Sequence, residues 1–241
     1  ADMLDWDALN NFRRKSLNPE HPAQRGTAQN PDVFFQAKEA SNKAYDAIPE
    51  VVEEYMNKVN EKIGSDYKLF NYYGAEDADE VIIAMGSVCD TISETVDYLN
   101  ANGRKVGLVK VRLYRPFSVK HLVAAIPSTV KKISVLDRTK EPGSIGEPLY
   151  LDVVAALRDT EFANVPVYTG RYGLGSKDTT PAQIIAVFKN TEKKRFTIGI
   201  NDDVTNLSLA LDENPDTTPA GITSCKFWGL GADGTVGANK N

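Results

Sequence analysis

Cysteine and histidine are scarce in this chain of 241 residues, which holds two of each. Cys89 and Cys225 form no CxxC unit, so the sequence has no chelating metal or iron–sulfur motif. We interpret both as free, buried thiols of a cytoplasmic protein. With only two histidines, His21 and His121, a histidine-based metal site or catalytic triad is improbable.

Long apolar runs and clusters of basic residues are also missing. No segment approaches the roughly 18 consecutive apolar residues of a membrane-spanning helix, and the N-terminus shows no secretion signal. The net charge is −5 and the isoelectric point about 5.2, whereas nucleic acids and membrane surfaces attract clustered Lys and Arg. The sequence therefore predicts a soluble, cytoplasmic protein that binds neither nucleic acid nor membranes.

Several catalytic patterns are absent as well. The chain has no P-loop ending in Gly-Lys-Ser/Thr, no cysteine nucleophile near a histidine, and no Ser/His/Asp arrangement. It also lacks the Gly-Asp-Gly…Asn-Asn pattern of a thiamine diphosphate metal site. From the residues we therefore assign neither a catalytic residue nor a metal ligand.

Residues 1–64 are predicted to form a mostly helical arm. A short helix is expected over residues 6–15, and an extended stretch over residues 18–31, where three prolines disfavour helix. A further helix is expected to begin at Pro49, a favoured first-turn position, and to end at Gly64. We expect this arm to wrap a neighbouring domain.

Residues 65–190 alternate between short apolar runs and amphipathic segments. Strands are predicted over residues 81–86, 106–111, 133–137 and 165–169. The helices that follow them are expected to begin at capping boxes (Thr91 with Glu94, Thr180 with Gln183), at Ser118 and at Pro148. Strand–helix units with short links indicate an α/β fold, a three-layer parallel sheet with helices on both faces. Loops with a function would then lie at the carboxyl edge of the sheet.

The alternation stops after residue 190. Residues 195–200 and 224–228 are predicted strands, joined by a polar connection that contains proline. We interpret residues 191–241 as a linker and the start of a further α/β domain, whose first strand ends at Trp228.

A literal G-x-G-x-x-G occupies residues 229–234, directly after that last predicted strand. Small residues let backbone N–H groups approach a phosphate, and a following helix N-terminus attracts negative charge. A nucleotide-type ligand fits this pattern, and a purely structural glycine turn explains it equally well.

Two further loops at predicted strand ends carry charge. Residues 137–146 can bind an anion or dock another domain through their charged side chains, and a solvated polar loop is the simpler interpretation. Arg171 and Lys177 lie in a glycine-bearing loop that can hold phosphate, but this loop also fits a tight turn into the next helix. For Arg112 and Arg115 we expect a role at a domain interface.

Five blocks of sequence closely resemble the pyruvate:ferredoxin (flavodoxin) oxidoreductases, and they span nearly the whole chain in family order. The blocks are residues 18–31, 109–117 (VKVRLYRPF), 135–143 (VLDRTKEPG), 170–177 (GRYGLGSK) and 227–240 (FWGLGADGTVGANK). Each block alone is a weak signal, and the set is specific.

The resemblance implies a modular enzyme several times longer than this chain, which would be an internal fragment. Such enzymes belong to anaerobic metabolism and oxidatively decarboxylate pyruvate to acetyl-CoA and CO2. They use thiamine diphosphate with Mg²⁺, and they pass electrons through [4Fe–4S] clusters to ferredoxin or flavodoxin. The resemblance also implies a homodimer.

By the same resemblance, residues 1–64 match the tail of the first thiamine-associated domain. Residues 65–190 match a domain similar to the C-terminal domain of transketolases, and residues 191–241 lead into a coenzyme A-associated domain. Gly229, Gly231, Gly234 and Thr235 would then line the path of the coenzyme A phosphates.

The cluster-ligating cysteines and the thiamine-binding segments of the family are not in this sequence. We therefore expect the segment to be mainly structural, to contact the other domains of its enzyme, and to show no turnover alone. The alternative is a non-catalytic nucleotide-binding or scaffold module, and a third hypothesis is a stand-alone regulatory protein.

Overall fold

A computed structural model describes residues 2–23, 26, 28–201 and 204–240. The helices are α1 Trp6–Arg14, α2 Pro31–Ala40, α3 Asn42–Ile63, α4 Val88–Ala101, α5 Val119–Ala125, α6 Pro148–Leu157, α7 Pro181–Lys189 and α8 Thr235–Lys240. The strands are β1 Phe70–Gly74, β2 Glu80–Ala84, β3 Val106–Val111, β4 Lys132–Asp137, β5 Val167–Arg171 and β6 Arg195–Thr197. The chain divides into two compact units, Ala1–Asp46 and Ala47–Asn241.

The first unit is helical. The predicted helix over residues 6–15 is confirmed as α1, whose first turn is capped by the Asp5 carboxylate at 2.9 Å from the Ala8 amide. The predicted extended stretch contains an isolated bridge between Asn18 and His21, and Gln24, Arg25 and Thr27 of that stretch lie outside the described residues. The helix α2, which begins at Pro31, was not predicted.

The predicted helix start at Pro49 is wrong, because α3 begins at Asn42 and carries Pro49 in its interior. Proline has no N–H to donate to the carbonyl four residues back, so a helix that continues through it loses one hydrogen bond. Pro49 is buried, and that burial offsets part of the loss.

A six-stranded sheet with the order β1-β3-β2-β4-β5-β6 forms the centre of the second unit. The pairs from β3 through β6 are parallel, as predicted. The edge strand β1 was not predicted and runs antiparallel to β3, which makes the sheet mixed. The predicted α/β class is confirmed.

Helices cover both faces of this sheet. The helices α4 and α7 pack on one face, over side chains such as Ile82 and Leu108. The helices α5 and α6 pack on the other face, over Val81 and Ile83. Alternate residues of a strand point to opposite faces, so the continuous apolar run of β2 is buried on both of its sides.

The strand β4 is buried along its whole length and carries a charged residue at each end. At its start, the Lys132 ammonium donates to the carbonyls of Phe188 (2.6 Å) and Asn190 (3.1 Å) at the end of α7, and lies 2.6 Å from the Glu80 carboxylate. At its end, the Asp137 carboxylate accepts from the amides of Leu149 (2.9 Å) and Tyr150 (3.2 Å) in the first turn of α6. Each charge thus satisfies a helix end of opposite partial charge.

The capping box predicted at Thr91 is wrong, because α4 begins at Val88 after the N-cap Ser87 and Thr91 lies inside the helix. Gly86, at a φ of +81°, turns the chain into the helix before Thr91 is reached. The helix starts predicted at Ser118 and Pro148 are confirmed. So is the capping box of α7, in which the Thr180 amide donates to the Gln183 side chain at 3.2 Å.

Of the two strands predicted after residue 190, the first is confirmed in part and the second is wrong. The strand β6 ends at Thr197 and pairs with β5, so it extends the same sheet. Residues 224–228 adopt no regular structure, and Trp228 is 84% exposed. Cys89 is buried as expected, but the same expectation for Cys225 is wrong, because this irregular segment leaves it exposed. A strand needs a partner for its backbone groups, and no described residue pairs with this segment.

No helix in the described ranges is long and apolar enough to cross a membrane.

Gly170 in β5 allows two neighbouring side chains to meet, because a Cβ built there would lie 2.3 Å from the Phe196 ring and 2.6 Å from Leu136. We expect Gly170→Ala to lower the free energy of unfolding by about 1–3 kcal/mol through overpacking. Denaturant titration measures this, and Gly237→Ala, whose Cβ meets nothing within 4 Å, is the control. In the Gly170→Ala background, Phe196→Leu should lower the free energy of unfolding by less than it does in the wild type, because the smaller side chain relieves the overlap. If the two losses simply add, the packing argument is contradicted.

Lys132 and its exposed neighbour Lys131 form a matched pair for testing the end of α7. Lys132→Met leaves two carbonyls without their donor and Glu80 Oε2 without its cation, while Arg104 still lies 3.0 Å from Glu80 Oε1. We therefore expect a loss of about 2–3 kcal/mol in unfolding free energy. Lys131→Met should change it by less than about 0.5 kcal/mol. Equal effects of the two substitutions in chemical denaturation would show that the contacts of Lys132 are not stabilising.

Candidate functional site

The carboxyl edge of the parallel strands is where the topology places loops that can bind a ligand. Among these strands the spatial order is β3-β2-β4-β5-β6, so the chain moves outward in one direction from β2 to β3 and in the other from β4 onward. Ligands of open α/β sheets bind in the crevice at such a reversal, outside the carboxyl ends of the two strands that flank it. Here those strands are β2 and β4.

The Asp137 side chain, at the end of β4, is fully engaged in hydrogen bonds to the first turn of α6. Burial raises the pKa of this carboxyl above its ordinary value, while the amides of Leu149 and Tyr150 act in the opposite direction. Because both of its oxygens already accept hydrogen bonds from the chain, Asp137 positions a helix and does not face a ligand.

Arg171 and Glu147 form a buried ion pair at the same edge. The Arg171 Nε lies 2.6 Å from Glu147 Oε1, and their side chains are 12% and 2% exposed. The other oxygen, Oε2, accepts from the Glu141 amide at 2.7 Å. Arg171, one of the two basic residues considered for phosphate, is therefore committed to this pair, which ties the loop after β4 to β5.

Arg138 and Lys177, one basic residue from each of the two charged loops, line one crevice at the strand reversal. The crevice has a volume of about 590 Å³ and is lined by Ser87, Val88, Thr91, Arg138, Tyr172, Gly173, Ser176, Lys177, Asp178 and Thr179. The loops from β2, β4 and β5 thus bring together residues that are distant in the sequence.

Arg112 and Arg115, expected at a domain interface, both have partners within the chain. Arg112 donates through Nε to the Asn71 side chain at 2.7 Å. Arg115 donates to the Asp152 carboxylate at 2.7 Å, and the same carboxylate accepts from the Tyr114 hydroxyl at 2.7 Å. These contacts join the segment after β3 to β1 and α6.

The glycine loop over residues 229–234 is exposed, and some of its backbone donors are used internally. Asp233 accepts from the amides of Leu230 and Thr235, both at 2.9 Å, and from the Thr235 hydroxyl at 2.6 Å. These hydrogen bonds, that of the hydroxyl first, lower the pKa of Asp233 to about 2. Gly229 is required by its neighbours, since a Cβ there would lie 2.5 Å from the Thr235 hydroxyl.

The four residues named for coenzyme A, which are Gly229, Gly231, Gly234 and Thr235, are thus adjacent in one loop at the start of α8. The strand expected before this loop is absent, as described above, and α8 has six residues. The carboxylate of Asp233 accepts from the amides of Leu230 and Thr235, and the G-x-G-x-x-G pattern did not indicate this.

Sequence reasoning missed a Ser–His–Glu grouping near the start of α5. The Ser118 hydroxyl lies 2.6 Å from His121 Nδ1, and His121 Nε2 lies 3.6 Å from the Glu53 carboxylate. In a catalytic triad the acid bonds Nδ1 and the nucleophile bonds Nε2. Here the order is reversed and the Glu53 distance exceeds a hydrogen bond, so the grouping joins α3 to the start of α5. The spacing of three residues between Ser118 and His121 is its signal in the sequence.

Two family models match the chain. One, described as pyruvate:ferredoxin oxidoreductase core domain II, matches residues 78–184. The other, described as the thiamine diphosphate-binding part of pyruvate flavodoxin/ferredoxin oxidoreductase, matches residues 2–57.

Curated relatives match along the whole chain. It is 59% identical to a pyruvate-flavodoxin oxidoreductase of Enterobacter agglomerans and 56% identical to a pyruvate:ferredoxin oxidoreductase of Moorella thermoacetica, in each case over 100% of this chain and 21% of the relative. It is 50% identical to a mitochondrial pyruvate dehydrogenase [NADP(+)] of Euglena gracilis, over 94% of this chain and 13% of that relative. The resemblance to the pyruvate:ferredoxin (flavodoxin) oxidoreductases is therefore confirmed: this chain matches that family from end to end and spans about a fifth of the length of such relatives.

Proposed function

We propose that this chain is part of an enzyme that oxidatively decarboxylates pyruvate to acetyl-CoA and CO2 and passes the electrons to ferredoxin or flavodoxin. The identity of 59% over the whole chain to a relative of that name carries the proposal. The whole enzyme would use thiamine diphosphate with Mg²⁺, [4Fe–4S] clusters and coenzyme A, and would act as a cytoplasmic homodimer.

Within that enzyme the segment has mainly a structural role. The charged side chains of Asp137, Glu147 and Arg171 at the carboxyl edge all bind partners inside the chain. Such internal contacts stabilise the fold, as expected for a module that organises other domains. Residues 65–190 would form the domain similar to the C-terminal domain of transketolases. Residues 1–64 would end the thiamine-associated domain, and residues 191–241 would lead into the coenzyme A-associated domain.

The electron acceptor is set elsewhere in the enzyme. The same segment occurs at 50% identity in a relative whose name specifies NADP(+) and at 56–59% in relatives named for ferredoxin or flavodoxin. A segment this similar across different acceptors is not where the acceptor is chosen.

The isolated chain is expected to show no pyruvate-dependent reduction of ferredoxin or flavodoxin, because it carries no complete cofactor site. The assay follows acceptor reduction by absorbance, with a full-length pyruvate:ferredoxin oxidoreductase run in parallel as the positive control. Turnover by this chain alone would contradict its assignment as a structural part.

The mass of the natural product separates this proposal from a non-catalytic scaffold or nucleotide-binding module. This chain of 26.4 kDa covers 21% of relatives such as that of Enterobacter agglomerans, so an enzyme of that kind would be about five times heavier. A natural product of the mass of this chain would favour the alternative.

We further propose that Gly229, Gly231, Gly234 and Thr235 contact the phosphates of coenzyme A through their backbone. At Thr235 a phosphate would then compete with the Asp233 carboxylate, which accepts from the Leu230 and Thr235 amides. Displacement of one anion by another at this shared donor is electrostatically consistent.

Gly231→Val tests the coenzyme A contact, because Gly231 has a φ of +92° and a bulky side chain there strains the loop and blocks close backbone approach. Calorimetric titration with coenzyme A should show affinity at least about tenfold lower, in a chain that also carries the residues following this segment in its relatives. Gly237→Ala serves as the control. Unchanged affinity of Gly231→Val would reject the contact.

A further inference from the structure

The crevice at the strand reversal is a candidate ligand site that is separate from the glycine loop over residues 229–234. Its volume of about 590 Å³ falls within the roughly 300–1,000 Å³ of small-molecule sites. It opens where β2 and β4 diverge toward their following helices, which is the position that open parallel sheets use for ligands.

The charge of the lining favours an anion. Arg138 and Lys177 contribute two positive charges, against one carboxylate from Asp178. Arg138 is held in place, since its Nε donates to the Gly173 carbonyl at 3.2 Å. This single contact uses one of the five guanidinium N–H groups, which leaves the fork available for a phosphate.

Gly173 fixes that approach of Arg138 to the backbone. A Cβ at Gly173 would lie 3.0 Å from Arg138 Nε, and the residue has a φ of +66°. The loop after β5 therefore requires glycine at position 173, where Arg138, the residue after β4, packs against its backbone.

The lining also includes the start of α4, a helix of 14 residues. The Cys89 and Asp90 amides of its first turn already donate to the carbonyls of Gly86 and Ser87, both at 3.1 Å. Ser87 and Thr91 add two hydroxyl-bearing side chains to the lining. The crevice thus combines cationic side chains with hydroxyl groups that can donate hydrogen bonds.

The neighbouring basic residue is not available, because Arg171 is paired with Glu147 in the buried bridge. The charged residues at this edge therefore differ in their environment. Arg171 and Glu147 neutralise each other inside the chain, whereas Arg138 and Lys177 line the crevice.

We propose that this crevice binds the phosphate of a small organic phosphate of nucleotide size, held by Arg138 and Lys177 together with the hydroxyl groups of Ser87 and Thr91. Asp178, the one carboxylate of the lining, is placed to accept hydrogen bonds from hydroxyl groups of such a ligand. The site goes beyond the enzyme role proposed above and does not depend on it.

The test is a titration of this chain with inorganic phosphate and with ADP, followed by calorimetry and by amide chemical shifts. ADP should bind saturably, with the largest shifts at residues 86–91 and 173–178, and inorganic phosphate should shift the same amides at higher concentration. Each of Arg138→Ala and Lys177→Ala should weaken ADP at least about tenfold, the loss expected for one charge-assisted contact. Arg138→Lys should restore part of the affinity, since it keeps the charge and loses the fork.

Arg158→Ala is the matched control, because Arg158 is 83% exposed and follows α6, at the opposite edge of the sheet. Gly231→Val should also leave ADP binding unchanged, which separates this site from the loop proposed for coenzyme A. Absence of saturable binding by the folded wild-type chain would overturn the proposal. So would shifts confined to other residues, or equal losses in Arg138→Ala and Arg158→Ala.

Discussion

The strand β4 carries opposite charges at its two ends, and the rest of the sheet depends on how those charges are used. Lys132 binds the last carbonyls of α7, and Asp137 binds the first amides of α6. The two helices lie on opposite faces. A single central strand therefore fixes one helix on each side, through contacts that match the polarity of each helix end.

That arrangement also determines what remains at the carboxyl edge. With Asp137 capping α6 and Glu147 holding both Arg171 and the Glu141 amide, the loop after β4 is anchored at both of its ends. Arg138 lies next to the anchored Asp137 and extends toward the loop after β5. These internal contacts leave Arg138 and Lys177 in the lining of one crevice. A rigid edge of this kind can serve both domain contacts and ligand binding.

Particular elements show how far the sequence alone could lead. The strands β2, β3, β4 and β5 were predictable because apolar runs covered on both faces give a strong local signal. The strand β1 was not, since Phe70–Gly74 is an edge strand whose pairing with β3 is a long-range contact. The strand expected at residues 224–228 shows the converse, because a segment that ends in aromatic residues forms no strand when no residue of the described ranges pairs with it.

The candidate sites follow the same division. The α/β class, the family resemblance and the chemical nature of the loops could be established from the sequence, because periodicity and residue type are local properties. Which charged side chains remain available for a ligand depends on the folded chain. Arg171 ends β5 and Lys177 lies in the loop that follows, yet one is buried against Glu147 and the other lines the crevice with Arg138. Similarly, the Asp233 carboxylate accepts hydrogen bonds from the amides of Leu230 and Thr235. Which partner a charge finds depends on distances between segments, and sequence patterns do not encode those distances.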